Sequence, residues 1–197
     1  MTNIYIESKN LSTPEAIFLS TFLGQLDIDS SSYQIIPLNG KDNLKNARNL
    51  FIQNTLEEGE NLIIFDADGP ENSGGFSSRK GYLEGLLKEL GITAEIFLFP
   101  NNTDDGDFET LLEGTARRDS FRRFFECFED YELCLGNDYV HPNRKGKLHT
   151  YITSMKLSNA QRRKIGSGAW LFDEEKYWDL HSEVLAPLAD FLKMNLS

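Results

Sequence analysis

The apolar positions of the chain fall into four short runs that predict β-strands. The runs cover residues 3–7, 33–38, 61–66 and 95–100, and each is rich in β-branched or aromatic side chains. In the third and fourth runs nearly every residue is apolar, which is typical of central strands that helices cover on both faces. We therefore expect a sheet whose middle strands are fully buried.

The segments between these runs have the apolar spacing of amphipathic helices. The predicted helices cover residues 13–26, 42–58 and 79–90. The first begins with Ser12 or Thr13 as its cap and has Pro14 in its first turn, and the third ends at Gly91. Strands that alternate with helices predict the α/β class with a four-stranded parallel sheet and flanking helices.

Beyond residue 112 the pattern becomes helical and rich in phenylalanine. Phe121, Phe124, Phe125 and Phe128 share one face of a helix, and that face must pack against an apolar surface. Further helices are predicted at about residues 145–157 and 173–196, the second interrupted or restarted near Pro187. We expect an α/β domain over residues 1–115 and a helical C-terminal extension over residues 116–197 that packs on it or completes a single domain.

Acidic side chains stand where the predicted strands end. Glu7 closes the first strand, Asp66 and Asp68 end the third, and Asp107 and Glu109 lie in the acidic segment after the fourth. Parallel sheets bind ligands at the carboxyl ends of their strands. If the backbone stays extended, the carboxylates of Asp66 and Asp68 lie on the same side and repel each other, which a raised pKa or a bound cation would relieve.

Each of these acids also has a plainer interpretation. Asp66 or Asp68 could cap the next helix, and Asp107 could cap the helix that begins after it. Taken together, the acids supply oxygen ligands for one or two Mg²⁺ or Mn²⁺ ions, an arrangement that serves in-line phosphoryl transfer. Lys9 and Lys41 lie near the same edge and could contact a phosphate, although a solvated surface is the commoner place for lysine.

The order of the acids resembles a Toprim domain, the catalytic unit of topoisomerases, primases and OLD-type nucleases. Residues 61–112 are similar to an uncharacterised Toprim-like family that resembles the OLD group, with Asp107-Phe108-Glu109 in place of Asp-Leu-Glu after the fourth strand. Weaker similarity extends over residues 145–151 and 178–192. The resemblance therefore covers most of the chain.

This resemblance implies a metal-dependent site. Glu7, Asp66 and Asp68 would be metal or acid/base residues, and Asp107 and Glu109 would form a second acidic set that binds Mg²⁺ or Mn²⁺. The chain departs from the pattern after Glu7, because Ser8 stands where Toprim nucleases usually have glycine. The further acid that they tend to carry nearby has its nearest counterpart in Glu15, which the helix-start signal places inside a helix.

The charge of the chain limits how it could bind nucleic acid. The formal net charge is −11, yet between Asp138 and Asp173 there are basic residues and no acidic ones. This strip includes Lys145 and Lys147, and such positive charge is what a DNA or RNA phosphate needs. The alternatives are a solvated helix face or a face docked on the acidic half of the chain. A sequence pI near 4.7 argues against binding by charge alone.

The remaining signals exclude several classes of site and compartment. Tyr151 and Trp170 could stack on a base, although a place in the core is the plainer interpretation. Cys127 and Cys134 are seven residues apart, which suits neither a zinc ligand pair nor a disulfide framework, so we expect reduced, structural cysteines. No apolar run approaches the roughly 18 residues of a membrane span, and we expect a soluble cytoplasmic protein.

Three functions are compatible with these features. The first is a Mg²⁺- or Mn²⁺-dependent nuclease or phosphodiesterase of Toprim type that acts on DNA or RNA. The second is a Toprim-like module that binds a metal or a partner without chemistry. The third is a haloacid-dehalogenase-like phosphatase, suggested by residues 65–69. In that family, however, the Asp-x-Asp motif normally ends the first strand, whereas here it ends the third and Pro70 follows it.

Overall fold

The computed structural model describes residues 1–70 and 74–196 of the chain. Its strands are β1 (Thr2–Ile6), β2 (Tyr33–Pro37), β3 (Asn61–Asp66) and β4 (Glu95–Phe99). Its α-helices are α1 (Pro14–Gln25), α2 (Arg48–Leu56), α3 (Phe76–Leu90), α4 (Phe108–Thr115), α5 (Arg122–Leu135), α6 (Arg144–Thr153), α7 (Asn159–Gly166) and α8 (Ala186–Leu196). The strands are parallel and follow the order β2-β1-β3-β4, so the predicted α/β class and four-stranded parallel sheet are confirmed.

The positions of the strands correct one expectation. β3 is central and pairs with both β1 and β4, as predicted, but β4 lies at the edge of the sheet. Its apolar run has another cause. Phe97 and Phe99 belong to the core on one face and Leu98 to the core on the other, so helices cover this edge strand on both sides. Sequence pattern reports the burial of a strand and not its pairing.

Two apolar cores lie on the two faces of the sheet. On one face, Tyr5 and Phe65 pack with side chains of α2 and α3, and the ring of Tyr5 stacks on Phe51 of α2 with centroids 3.8 Å apart. On the other face, side chains of α1, α4 and the C-terminal helices form one continuous cluster with β1, β3 and β4. This cluster includes Tyr151, Trp178 and Leu192, so residues on both sides of position 115 share a core.

The signals for helix termini in the first half identify the right residues. Thr13 caps α1 by accepting a hydrogen bond from the backbone N–H of Ala16, and Pro14 occupies the first turn. Gly91 ends α3 in the left-handed conformation, with φ of 63°. The predicted helix over residues 42–58 is a 3₁₀ helix (Lys41–Ala47) followed by the shorter α2. The third helix begins at Phe76, three residues before the predicted start.

The C-terminal region differs more from its prediction. Residues 173–182 do not form a helix, and α8 begins only at Ala186, beside Pro187. The backbone of this segment instead pairs with the end of α4, where Trp178 forms a bridge with Ala116. Its aromatic side chains suit this role, because Trp178 is fully buried. The helix α7 was not predicted.

Two further features concern the lengths of the helices and the state of the cysteines. Every helix within residues 1–70 and 74–196 is too short or too polar to span a bilayer. Cys127 and Cys134 are exposed on α5 and are not disulfide-bonded.

Candidate functional site

The carboxyl edge of the sheet brings together four acids from four different elements. β1 and β3 are neighbours with Ile6 level with Ile64, and just beyond this pair the Glu7 carboxylate accepts a hydrogen bond from the backbone N–H of Asp66. Glu15 in the first turn of α1 and Glu109 in the first turn of α4 reach the same place. We refer to Glu7, Glu15, Asp66 and Glu109 as the acidic cluster.

Asp66 lies at the centre of this cluster. It is the last residue of β3 and is largely enclosed, and its Oδ1 accepts a hydrogen bond from the backbone N–H of Phe108 at 2.8 Å. Burial raises the pKa of Asp66 well above its ordinary value, and the negative charges of Glu15 and Glu7 raise it further. The hydrogen bond from Phe108 acts in the opposite direction but does not offset these effects.

Glu15 is the member that the sequence interpretation set aside. It does lie in a helix, but the first turn of α1 directs it towards Asp66. Its Oε2 accepts a hydrogen bond from the Ser8 hydroxyl, which in turn accepts one from the Thr13 hydroxyl at 2.8 Å. Burial raises the pKa of Glu15 to about 7; the Ser8 hydrogen bond opposes this shift, while the charges of Glu7 and Glu109 add to it.

Glu7 connects the cluster to a second charged pair. Burial raises the pKa of Glu7, the positive charge of Arg79 lowers it, and the negative charge of Asp68 raises it. The backbone N–H of Asp66 and the more distant ammonium of Lys41 also favour the charged form of Glu7. The Glu7 carboxylate therefore contacts the backbone of its predicted neighbour Asp66.

Asp68 lacks the extended backbone on which its predicted place beside Asp66 depended. The strand ends at Asp66, and Asp68 takes a left-handed conformation with φ of 58°. Its carboxylate forms an ion pair with the guanidinium of Arg79 in α3. Arg79 is 5% exposed, and its Nε has no hydrogen-bond partner in the part of the chain that the structure describes.

The sequence did not lead us to expect Arg79 at this site, although its position in the first turn of a helix was a usable signal. A cation in the first turn of a helix opposes the helix dipole, so Arg79 needs a compensating anion. The N-terminus of α3 receives another carboxylate from the loop after β4, where Asp105 Oδ1 accepts the backbone N–H of Phe76 at 2.7 Å. Part of the acidic segment after β4 thus serves to cap α3.

Asp107 also has a structural role. It is the cap of α4, and its Oδ1 accepts hydrogen bonds from the backbone N–H and the hydroxyl of Thr110, at 2.7 and 2.6 Å. Arg144 lies 3.6 Å from the same oxygen. Of the predicted second acidic set, Glu109 joins the acidic cluster, whereas Asp107 is engaged at the helix terminus.

The predicted basic strip docks in part on the acidic half. Lys145 Nζ lies 2.8 Å from Glu109 Oε1, and Lys147 pairs with Glu113 at 3.2 Å. Although partial burial of Lys145 opposes its charge, the ion pair with Glu109 holds its pKa above the ordinary value. Lys145 is more than half exposed, so it can reach solvent from the edge of the cluster.

The other residues predicted to contact a substrate take no part in the cluster. Lys9 is exposed, and no ion pair to it is seen within the described ranges. Tyr151 and Trp170 are buried, which confirms their interpretation as core residues.

The chemistry of the donor set fits a hard divalent ion, but no complete cage is formed. Among residues 1–70 and 74–196, no three His, Cys, Asp or Glu side chains are placed so as to hold a metal ion. Mg²⁺ generally uses only one or two protein carboxylates and completes its shell with water or phosphate oxygens. Asp66 and one other carboxylate of the cluster could supply that smaller set of ligands.

Comparisons with known proteins do not identify a relative. No protein-family model matches the chain, and no curated protein or solved structure is significantly similar to it. The Toprim resemblance therefore stays a prediction.

Proposed function

We propose that the acidic cluster binds Mg²⁺ or Mn²⁺ and that the protein hydrolyses phosphodiester bonds in DNA or RNA. The observation that carries this proposal is the enclosed carboxylate of Asp66, which is surrounded by three other carboxylates. Burial is the main reason why the pKa of Asp66 is raised well above its ordinary value, and repulsion from these carboxylates raises it further. Such repulsion is relieved by protons at low pH and by a cation at neutral pH.

The positions of the four acids suggest different roles in metal binding. Asp66 and Glu7 come from adjacent strands of a rigid sheet and are suited to hold the ion. Glu15 and Glu109 extend from helices and are suited to accept hydrogen bonds from waters around it. A bound ion would lower the pKa of a coordinated water and neutralise charge on a phosphoryl oxygen.

Lys145 is the cation best placed for the substrate. Its ammonium lies against Glu109 and close enough to Asp66 and Glu15 for both to raise its pKa. A divalent ion would neutralise part of the negative charge that Lys145 now offsets. The exposed ammonium could then contact a phosphate oxygen, which explains why a chain of net charge −11 can approach a polyanion at this edge.

Two alternatives lead to different chemistry. A cation-binding module without catalysis is favoured by the absence of a three-ligand group among the described residues. A haloacid-dehalogenase-like phosphatase needs the two aspartates of Asp66-Ala67-Asp68 to act together, and the ion pair of Asp68 with Arg79 argues against it.

The decisive experiment compares hydrolysis by the full chain with that by Asp66→Asn. Supercoiled plasmid, single-stranded DNA, RNA and a phosphate monoester are each incubated with Mn²⁺ or Mg²⁺. We expect the wild type to cleave at least one polynucleotide. The rate of cleavage should fall to background in Asp66→Asn and by about a hundredfold in Lys145→Gln. The matched control is Asp190→Asn, because Asp190 lies exposed on α8 away from the cluster, and we expect it to retain full activity.

The other outcomes separate the alternatives. Turnover of the monoester alone would support a phosphatase. Silence on every substrate, with Mn²⁺ still raising the melting temperature, would support the binding module. Saturating ion at about 100 times its dissociation constant stabilises a folded protein by about 2.7 kcal/mol. If Mn²⁺ produced no shift, the metal site itself would be rejected.

A further inference from the structure

The pair formed by Asp68 and Arg79 limits how many cations the carboxyl edge can hold. By number alone, the acids at this edge supply ligands for one or two divalent ions. Asp68, however, is already bound by a guanidinium, which stays charged at any physiological pH. Its carboxylate is therefore neutralised by a cation that belongs to the protein.

Arg79 is fixed in this position by the fold. Its side chain is 4% exposed and extends from the first turn of α3, so leaving Asp68 would require the surrounding side chains to repack. Burial removes the water that would otherwise screen its charge. The ion pair is thus a permanent feature of the folded chain, unlike a surface pair that opens and closes freely.

The charge of Arg79 also reaches the acidic cluster. Arg79 favours the charged form of Glu7, and Asp68 disfavours it, so both groups lie close to that carboxylate. A divalent ion placed between Glu7 and Asp68 would adjoin a buried guanidinium of the same sign. Its repulsion from Arg79 would oppose binding there, whereas Asp66 forms no ion pair with Arg79 in the described part of the chain.

The unused donor of Arg79 supports the same interpretation. Its Nε is buried without a hydrogen-bond partner among the described residues, which is unusual for a charged group. The enclosed Nε–H does not reach a substrate, so Arg79 acts at this edge through its positive charge, which among the described residues is paired with Asp68.

We propose that Arg79 takes the place of a second divalent cation, so that the carboxyl edge binds a single Mg²⁺ or Mn²⁺ at Asp66 and its neighbours in the acidic cluster. Asp68 is then a positioning residue for Arg79 and not a metal ligand. This inference rests on the proposed metal site and adds the number of ions and the residue that sets it.

The test is a count of Mn²⁺ bound to the full chain, by isothermal titration calorimetry and by electron paramagnetic resonance of the free ion. We expect one Mn²⁺ in the wild type and one in Asp68→Asn, with an affinity within about tenfold of the wild type. Asp66→Asn should lose the ion. Arg79→Gln should bind a second Mn²⁺, because it leaves Asp68 unpaired beside Glu7, whereas Arg79→Lys keeps the charge and should bind one.

The results that would overturn the inference are specific. They are two ions in the wild type, loss of the ion in Asp68→Asn, or a folded Arg79→Gln that still binds one. Circular dichroism shows which variants are folded, and if Arg79→Gln does not fold, the counts for the wild type and Asp68→Asn decide the matter. A wild type that binds no Mn²⁺ would instead reject the proposed metal site and the inference with it.

Discussion

The two ends of the sheet hold polar side chains in opposite ways. At the amino end, buried neutral groups form a network in which Asn3 donates to the hydroxyl of Tyr5, and that hydroxyl donates to Asn61. Asn61 also accepts from Asn54 and donates to the Thr55 hydroxyl. At the carboxyl end, burial raises the pKa values of Glu15 and Asp66, and the negative charges of Glu7 and Glu109 raise them further.

The difference lies in what each kind of group can offer its neighbours. An amide side chain carries both donors and an acceptor, so several amides can satisfy one another inside a fold. Ionised carboxylates only accept, so a group of them needs donors, protons or cations from elsewhere. The amino end is nearly complete within the chain, although Asn3 Oδ1 has no partner among the described residues. The proposed metal ion would supply such a cation at the carboxyl end.

The largest change in stability is expected from a substitution at the amino end of the sheet. Asn61→Ala removes the central member of the network and leaves buried groups of Asn54 and Tyr5 without their partner. We expect the free energy of unfolding to fall by about 3 kcal/mol, measured by urea denaturation. Asn137→Ala is the matched control, because Asn137 is exposed, and it should change stability by less than about 0.5 kcal/mol.

A second measurement on Asn61→Ala tests whether the two ends are independent. The variant should bind Mn²⁺ with unchanged affinity at a temperature where it is folded, since Asn61 and Asp66 lie at opposite ends of β3. A loss of stability no greater than that of Asn137→Ala would contradict the view that this network is structural.

Sequence pattern predicts the fold better than it predicts the site. The runs at residues 3–7 and 61–66 identify β1 and β3, and chain direction alone places Glu7 and Asp66 at one edge. The partner of Asp68 could not be predicted in this way, because Arg79 lies eleven residues further on in a helix that forms its own local pattern. Its meeting with Asp68 depends on the left-handed turn after β3.

The role of Glu15 was also beyond prediction from local sequence pattern. A helical position is a local property, whereas nearness to Asp66 depends on how α1 packs on the sheet. The expectation that residues 95–100 form a central strand was wrong for a related reason, since coverage by helices and pairing with strands leave the same apolar pattern. The helix over residues 173–196 was predicted too long because tertiary pairing with the end of α4 overrides local preference.

The next effect concerns the pH dependence of the metal-free protein. Because burial raises the pKa of Glu15 to about 7, the folded state holds a proton that the unfolded state releases near pH 4.5. This contribution to stability is fully present below pH 4.5 and is lost as the pH rises through about 7. With EDTA present, Glu15→Gln should therefore be more stable than the wild type by about 2 kcal/mol at pH 8 and nearly equal to it at pH 4.

The control for Glu15→Gln removes a glutamate from a solvated surface. Glu89 is exposed on α3, and Glu89→Gln should follow the pH profile of the wild type. Thermal unfolding at several pH values measures all three proteins. A Glu15→Gln profile that runs parallel to the wild type would show that the cluster does not strain the fold.

The smallest expected effect concerns Asp107. This residue lies at the carboxyl edge, but like the amides at the amino end it is hydrogen-bonded by groups of the chain itself. Its Oδ1 accepts from the backbone and the hydroxyl of Thr110, so it should behave as a helix cap. We expect Asp107→Ala to lower the free energy of unfolding by about 1 kcal/mol, and Asp107→Asn, which can still cap, to lower it much less. Both should bind Mn²⁺ as the wild type does in calorimetry. A contradictory result would be an equal loss of Mn²⁺ affinity in both variants, with no loss of stability in Asp107→Asn. Asp107 would then be a metal ligand, and the carboxylates at this edge could not be divided into those satisfied by the chain and those that are not.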